Sequence, residues 1–122
     1  MGVKVAKEDL GKFIVRKRGK TMSSRQLALK CNISPAYMSD IERGRRIPKL
    51  NVLTSISKNL NLTQEETYYL FDLAAVGSSN RVSYDIVEYI MKNDSLRNCI
   101  REAINMGRDD VWDKTLELIN RE

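Results

Sequence analysis

Hydrophobic positions recur at three- and four-residue intervals along almost the whole chain, the spacing that lines one face of an α-helix. Leu10, Phe13 and Ile14, with Val3 as a further candidate upstream, predict a first helix over residues 7–18 that stops at Gly19. Its last turn carries Arg16, Lys17 and Arg18, which suit the negative end of a helix dipole. Ser23 followed three positions later by Gln26 is a capping-box pattern, opening a short second helix over 23–31 around Leu27, Ala28 and Cys31. Asn32 tolerates a left-handed backbone, and Ser34-Pro35 then offers a cap and a proline at the first helical position. A third helix over 34–42 follows, with Tyr37 or Met38 and Ile41 facing inward and Gly44 placed to close it.

Beyond the loop of Arg45, Arg46 and Pro48, residues Leu50, Leu53, Ile56, Ser57 and Leu60 predict a fourth helix over 49–60. Thr63 and Glu66 form a second capping-box pattern ahead of a fifth, over 63–75, packed through Tyr69, Leu70, Leu73 and Ala74. Residues 77–80 are a short polar stretch and mark a boundary, dividing the chain into 1–76 and 77–122. Three more helices are predicted after it, over 82–92, 95–106 and 109–120, with Asp109 or Asp110 capping the last. About forty-five residues make a very small core, so this tail is expected to pack on the first domain or on another subunit, with Trp112 either in the interior or as an interface anchor. The fold class expected is all-α.

Charge adds a direction to this pattern. Residues 1–76 hold fourteen basic and seven acidic side chains, a net +7, whereas 77–122 hold seven basic and nine acidic, a net −2. From Leu10 to Ser39 seven lysines and arginines occur without one acid, which makes a polyanion the natural partner of the N-terminal half. Composition also removes whole classes of function. With 122 residues, no histidine, no Gly-rich phosphate loop and no H-E-x-x-H motif, the chain offers neither a base near neutral pH nor a metal site, so no catalytic residue, cofactor or metal is expected. Asp109, Asp110 and Asp113 read as a cap and as acids complementing the positive end of the final helix, not as cation ligands. Cys31 and Cys99, far apart and outside any CxxC pattern, read as buried thiols in a reducing cytoplasm. No stretch approaches the ~18 apolar residues of a membrane span, so a soluble, cytoplasmic protein without membrane attachment is expected.

Two short helices joined by a tight turn form a helix-turn-helix. The segment Ser23 to Pro48, SSRQLALKCNISPAYMSDIERGRRIP, closely resembles the bacterial and phage repressor family of Cro-like and Xre-like regulators. The resemblance rests on Leu27-Ala28, the turn before Ile33-Ser34, Met38 and Ile41, and the Ile41-to-Arg45 run followed by Pro48. It implies a five-helix repressor-like domain over about residues 7–75, followed by a small helical C-terminal extension, with the third helix in the major groove. By motif position, Ser24, Pro35, Ala36, Tyr37, Ser39 and Asp40 are then the base-reading candidates, and Lys20, Arg25, Arg43, Arg45 and Arg46 the phosphate-contacting ones. Glu42 can instead fasten the third helix by a local ion pair. Pro35 and Ala36 stand where familiar members often carry glutamine and cannot make bidentate base contacts; Ala36 can touch a thymine methyl, Ser39 can donate or accept through its hydroxyl, and Asp40 can accept from cytosine N4.

The function expected is a sequence-specific transcriptional regulator of double-stranded DNA, a dimeric repressor and a candidate for autoregulation. Trp112, Leu116 and Ile119 are the dimerisation candidates. The alternative is an antitoxin or accessory regulator whose C-terminal helices bind a regulatory protein partner.

Overall fold

The computed structural model describes residues 8–78 and 82–121, and among these every regular element is helical. The helices are α1 (Leu10–Arg18), α2 (Ser24–Lys30), α3 (Pro35–Glu42), α4 (Leu50–Asn59), α5 (Gln64–Val76), α6 (Tyr84–Lys92), α7 (Asp94–Met106) and α8 (Val111–Asn120). The all-α expectation holds.

Local chemistry sets the helix ends. Asp9 is extended and its carboxylate accepts the Lys12 amide at 2.8 Å, so α1 starts at Leu10; residue 7 and Val3 lie outside the described residues. Both capping boxes form. Ser23 Oγ accepts the Gln26 amide at 3.1 Å while the Gln26 side chain accepts the Ser23 amide at 2.8 Å, and Thr63 and Glu66 repeat the exchange at 3.1 and 2.9 Å. The last helix differs from expectation: Asp110 occupies the N-cap position of α8 without capping it, because its backbone is already helical and its carboxylate is engaged by Arg108 at 2.9 and 3.1 Å.

Backbone contacts divide the chain into two compact units, one running through Asp85 and one from Ile86, so that the division falls inside α6. In the first unit α1 packs on α3 and α5, α2 on α3, and α4 on α5. Phe13, Ile14, Leu27, Met38, Ile41, Ile56 and Leu70 are fully buried where these helices meet. Tyr69 meets Phe13 edge-on, with ring centroids 4.9 Å apart. Cys31 lies in this core, and burial raises its thiol pKa.

The second unit has little interior. Among its described residues Ala103 is the buried apolar side chain, whereas Ile104, Met106, Leu116 and Ile119 are exposed. Cys99 is exposed too, contrary to its reading as a buried thiol, because the short helices around it enclose too small a core to cover it. Trp112 is 38% exposed and is therefore not a fully interior tryptophan.

Candidate nucleic-acid interface

The turn between α2 and α3 is closed by bonds back onto α2. Asn32 adopts φ 58°, and the amides of Asn32 and Ile33 donate to the carbonyls of Leu29 and Ala28 at 3.2 and 3.0 Å. Gly44 closes α3 in the same way: at φ 77° it lets the Arg45 amide reach the Asp40 carbonyl at 2.8 Å. Both left-handed positions were legible in the sequence, since Asn and Gly bear that backbone conformation at least cost.

The start of α3 presents less free backbone than its position suggests. Pro35 has no amide hydrogen, and Ser34 Oγ accepts the Tyr37 amide at 3.0 Å, which leaves Ala36 as the one amide of the opening turn without a partner among the described residues. Recognition through this end therefore falls to side chains. Ala36 is exposed; Pro35, Tyr37, Ser39 and Asp40 are half-buried, as is Ser24 at the start of α2. Lys20, Arg25, Arg43, Arg45 and Arg46 are all exposed. Of these predicted residues the structure brings two into direct contact: the Arg46 guanidinium lies over the Tyr37 ring, 4.7 Å from its centroid.

α3 is held from α1. Arg18 grips Glu42 through two bonds, Nε to Oε2 at 2.9 Å and Nη2 to Oε1 at 3.1 Å, with both side chains largely shielded at 17% and 10% exposure. The Glu42 bond, first among its causes, raises the Arg18 pKa further above its ordinary value. Glu42 thus fastens the third helix as anticipated, but through a partner twenty-four residues away instead of a local one. Gly11 makes that docking possible, because a Cβ there would stand 2.1 Å from the Glu42 carbonyl oxygen. A lone glycine inside a helical pattern was the available sequence signal for this close approach.

The basic run from Leu10 to Ser39 divides into two groups. Arg16 bonds Glu8, whose carboxyl is lowered chiefly by that bond and which also accepts from the Tyr69 hydroxyl at 3.3 Å. Lys17 pairs with Glu66 on α5, lowering that carboxyl, and Arg18 is spent on Glu42. Lys12, Lys20, Arg25 and Lys30 remain exposed and without an ion-pair partner among the described residues. The sequence count therefore overstates the charge that an external polyanion meets.

A cleft of about 970 Å³ opens elsewhere in the first unit, lined by Leu50, Leu53, Phe71, Ala74 and Tyr84 among others; none of its lining residues was a predicted site residue. No group of three or more His, Cys, Asp or Glu side chains among the described residues is placed to hold a metal. No described helix is long and apolar enough to cross a membrane. Trp112, Leu116 and Ile119 lie on α8 in the second unit.

The helix-turn-helix family pattern matches residues 14–66, from the middle of α1 into α5. An uncharacterized HTH-type transcriptional regulator of Mycobacterium tuberculosis, found in two strains, is 41% identical over 59 residues, covering 48% of this chain and 42% of the relative. The control protein C.BamHI of Bacillus amyloliquefaciens is 34% identical over 64 residues, covering 52% of this chain and 75% of that protein. The match spans less than half the length of the mycobacterial relatives. No solved structure matches the chain. With its turn, the left-handed closures at Asn32 and Gly44 and the Arg18 grip all falling inside the matched region, the chain belongs to the helix-turn-helix family of Cro/Xre type.

Proposed function

We propose that this protein is a non-catalytic, sequence-specific regulator of transcription that binds double-stranded DNA, acting as a repressor from the cytoplasm. The observation that carries the reading is α3 itself, a helix held by Arg18 through Glu42, whose opening turn carries exposed or half-buried side chains, with Arg46 over the Tyr37 ring and with Arg43 and Arg45 exposed at its far end. Such a helix suits the major groove, with its first turn toward base edges. In this reading residues 1–76 form the five-helix DNA-binding domain and 77–122 the extension. Ser24, Pro35, Ala36, Tyr37, Ser39 and Asp40 face the bases, while Lys20, Arg25, Arg43, Arg45 and Arg46 meet phosphates.

A homodimer is part of the proposal. One such module offers limited contact area, and two joined modules gain affinity through local concentration while placing recognition helices about one DNA turn, ~34–36 Å, apart. Leu116 and Ile119, 59% and 73% exposed on α8, with Trp112, supply an apolar stripe for that pairing. The relatives' names, a transcriptional regulator and a control protein, support the regulatory reading.

The test is fluorescence anisotropy with the protein's own upstream region and a shuffled duplex, titrated across salt. Preference for the upstream duplex by at least ~10³, with a steep salt slope, is expected. Equal, weak binding to both duplexes overturns the reading.

A further inference from the structure

We propose that the cleft beside α4 and α5 in the first unit is a binding site for a small carboxylate with an aromatic body, and that filling it weakens DNA binding. The site stands on the cavity alone; its effect on DNA rests on the regulator reading above.

Three observations carry it. First, the cleft is roomy and its wall is apolar. At about 970 Å³ it has the size of a small-molecule pocket; Leu53, Ala74 and Ala75 are buried parts of its wall, Phe71 is half-buried and Tyr84 is exposed. Two successive alanines on α5 leave open the space that larger side chains would fill, and the rings of Phe71 and Tyr84 offer faces and edges to a third ring. Second, its charge has one sign. Lys49 is the charged residue of the lining, no carboxylate lines the cleft among the described residues, and Lys49 is exposed without an ion-pair partner among them. Third, α4 begins in this lining with unused donors. Lys49 stands at its N-cap without a side-chain cap bond, and the amides of Leu50 and Asn51 have no partner among the described residues.

Together these features select the ligand. An uncharged apolar compound would cover the wall and leave the lysine and the amides to water, whereas an inorganic anion would leave the apolar wall wet. A molecule with an aromatic body and a carboxylate at one end satisfies both, its body against Leu53, Phe71 and Ala74 and its charge at Lys49 and the positive end of α4. Ile47, Pro48 and Lys49 of the lining also join Arg45 and Arg46 to α4. A carboxylate held at Lys49 therefore lies three positions along the chain from Arg46 and sets a negative charge near residues proposed to meet phosphates, which lowers affinity for DNA. By linkage, bound DNA lowers affinity for the carboxylate by the same factor.

The experiment titrates 4-phenylbutyrate, and 4-phenylbutanamide as its uncharged counterpart, into the full chain at fixed salt while amide chemical shifts are followed by NMR. Wild type is compared with Lys49→Gln and with Thr54→Trp, an exposed position of the lining where a large ring closes the cleft. Wild type is expected to shift at Leu50, Asn51 and Phe71 with a Kd of about 0.1–1 mM for the acid, and to bind the amide about 10-fold more weakly. Lys49→Gln should reduce that preference to about threefold, and Thr54→Trp should abolish binding of both compounds. In fluorescence anisotropy, saturating 4-phenylbutyrate should weaken wild-type binding to the upstream duplex about 5-fold and leave Thr54→Trp unaffected. Absent binding, equal affinity for acid and amide, or undiminished binding by Thr54→Trp overturns the site. If absent binding is accompanied by loss of self-association in Thr54→Trp, a second copy of the chain covers the cleft instead. Should Thr54→Trp fail to melt cooperatively, the exposed Lys49→Gln decides alone, and an unchanged acid preference overturns the site. Binding at these residues that leaves duplex affinity unaltered overturns the coupling. A protein that takes the acid there but discriminates among no duplexes overturns the regulator reading and the coupling, and leaves the site standing.

Discussion

Position 11 has no room for a side chain. A Cβ there would lie 2.1 Å from the Glu42 carbonyl oxygen and 2.9 Å from that of Ile41, and both are backbone atoms that cannot swing aside. Alanine in a helix interior ordinarily gains about 1 kcal/mol over glycine. Overpacking against fixed atoms costs about 3 kcal/mol. The second effect wins, so Gly11→Ala is expected to lower stability by about 2 kcal/mol in urea unfolding, and a raised midpoint would contradict the close approach of α1 to α3. Asp72 illustrates a residue working against the fold. Burial raises its pKa, with Asp85 nearby adding to the shift. A carboxyl whose folded pKa lies above its unfolded value destabilises the protein at neutral pH, and that penalty is relieved as pH falls through the folded pKa towards the unfolded one. Asp72→Asn should therefore raise the melting temperature at pH 7, with the gain shrinking as pH falls towards ~4. A gain that persists unchanged at pH 3 would assign the effect to something other than ionisation.

At the scale of elements, the decisive device is closure of α2 and α3 by a residue that accepts a left-handed backbone. Asn32 at φ 58° sets the angle at which α3 leaves α2, and Gly44 at φ 77° sends the chain into the arginine loop. Alanine at position 32 pays the Cβ penalty of that conformation, about 1–2 kcal/mol, whereas glycine avoids it. Melting should order the variants with Asn32→Ala lowest and Asn32→Gly near wild type. Equal losses in both would mean that the Asn side chain, and not the backbone angle, holds the turn. These features were readable in the sequence because they depend on residues within four positions of one another. Both capping boxes formed as their spacing indicated, for the same reason. The unformed cap at Asp110 shows where such local reasoning stops, since Arg108 competes for the same carboxylate.

For the whole molecule, the contrast between the two units sets the expectation for assembly. The first buries Phe13, Ile14, Leu27, Met38 and Ile41 completely; the second buries Ala103 and leaves Leu116, Leu118 and Ile119 more than half exposed. Helices this short gain most of their stability from packing, so an apolar stripe of this kind calls for a partner surface. Under the dimer proposed above, Leu116→Glu with Ile119→Glu should convert a dimer to a monomer in sedimentation equilibrium and weaken binding to a two-half-site duplex by about 10²-fold. A variant that still sediments as a dimer would move the interface away from α8.

What the sequence alone determined is what short-range chemistry controls. The helical period, the caps at Ser23, Ser34 and Thr63, the left-handed turns at Asn32 and Gly44, and the helix-turn-helix pattern all lie in contiguous stretches, and each appears in the structure where the residues place it. Tertiary structure decided what depends on residues far apart. It showed that Arg16, Lys17 and Arg18 are engaged by Glu8, Glu66 and Glu42, so that part of an apparently polyanion-seeking run is spent within the fold, with Lys17 and Arg18 holding α1 to α5 and α3. It left Cys99 outside, because burial depends on how much core surrounds a position and not on the residue's own preference. It also set Arg46 on Tyr37, nine residues apart, a contact with no local signature because a loop must first turn back along the helix it follows. Spacing along the chain fixes which elements form; only packing fixes which charges remain available to a partner.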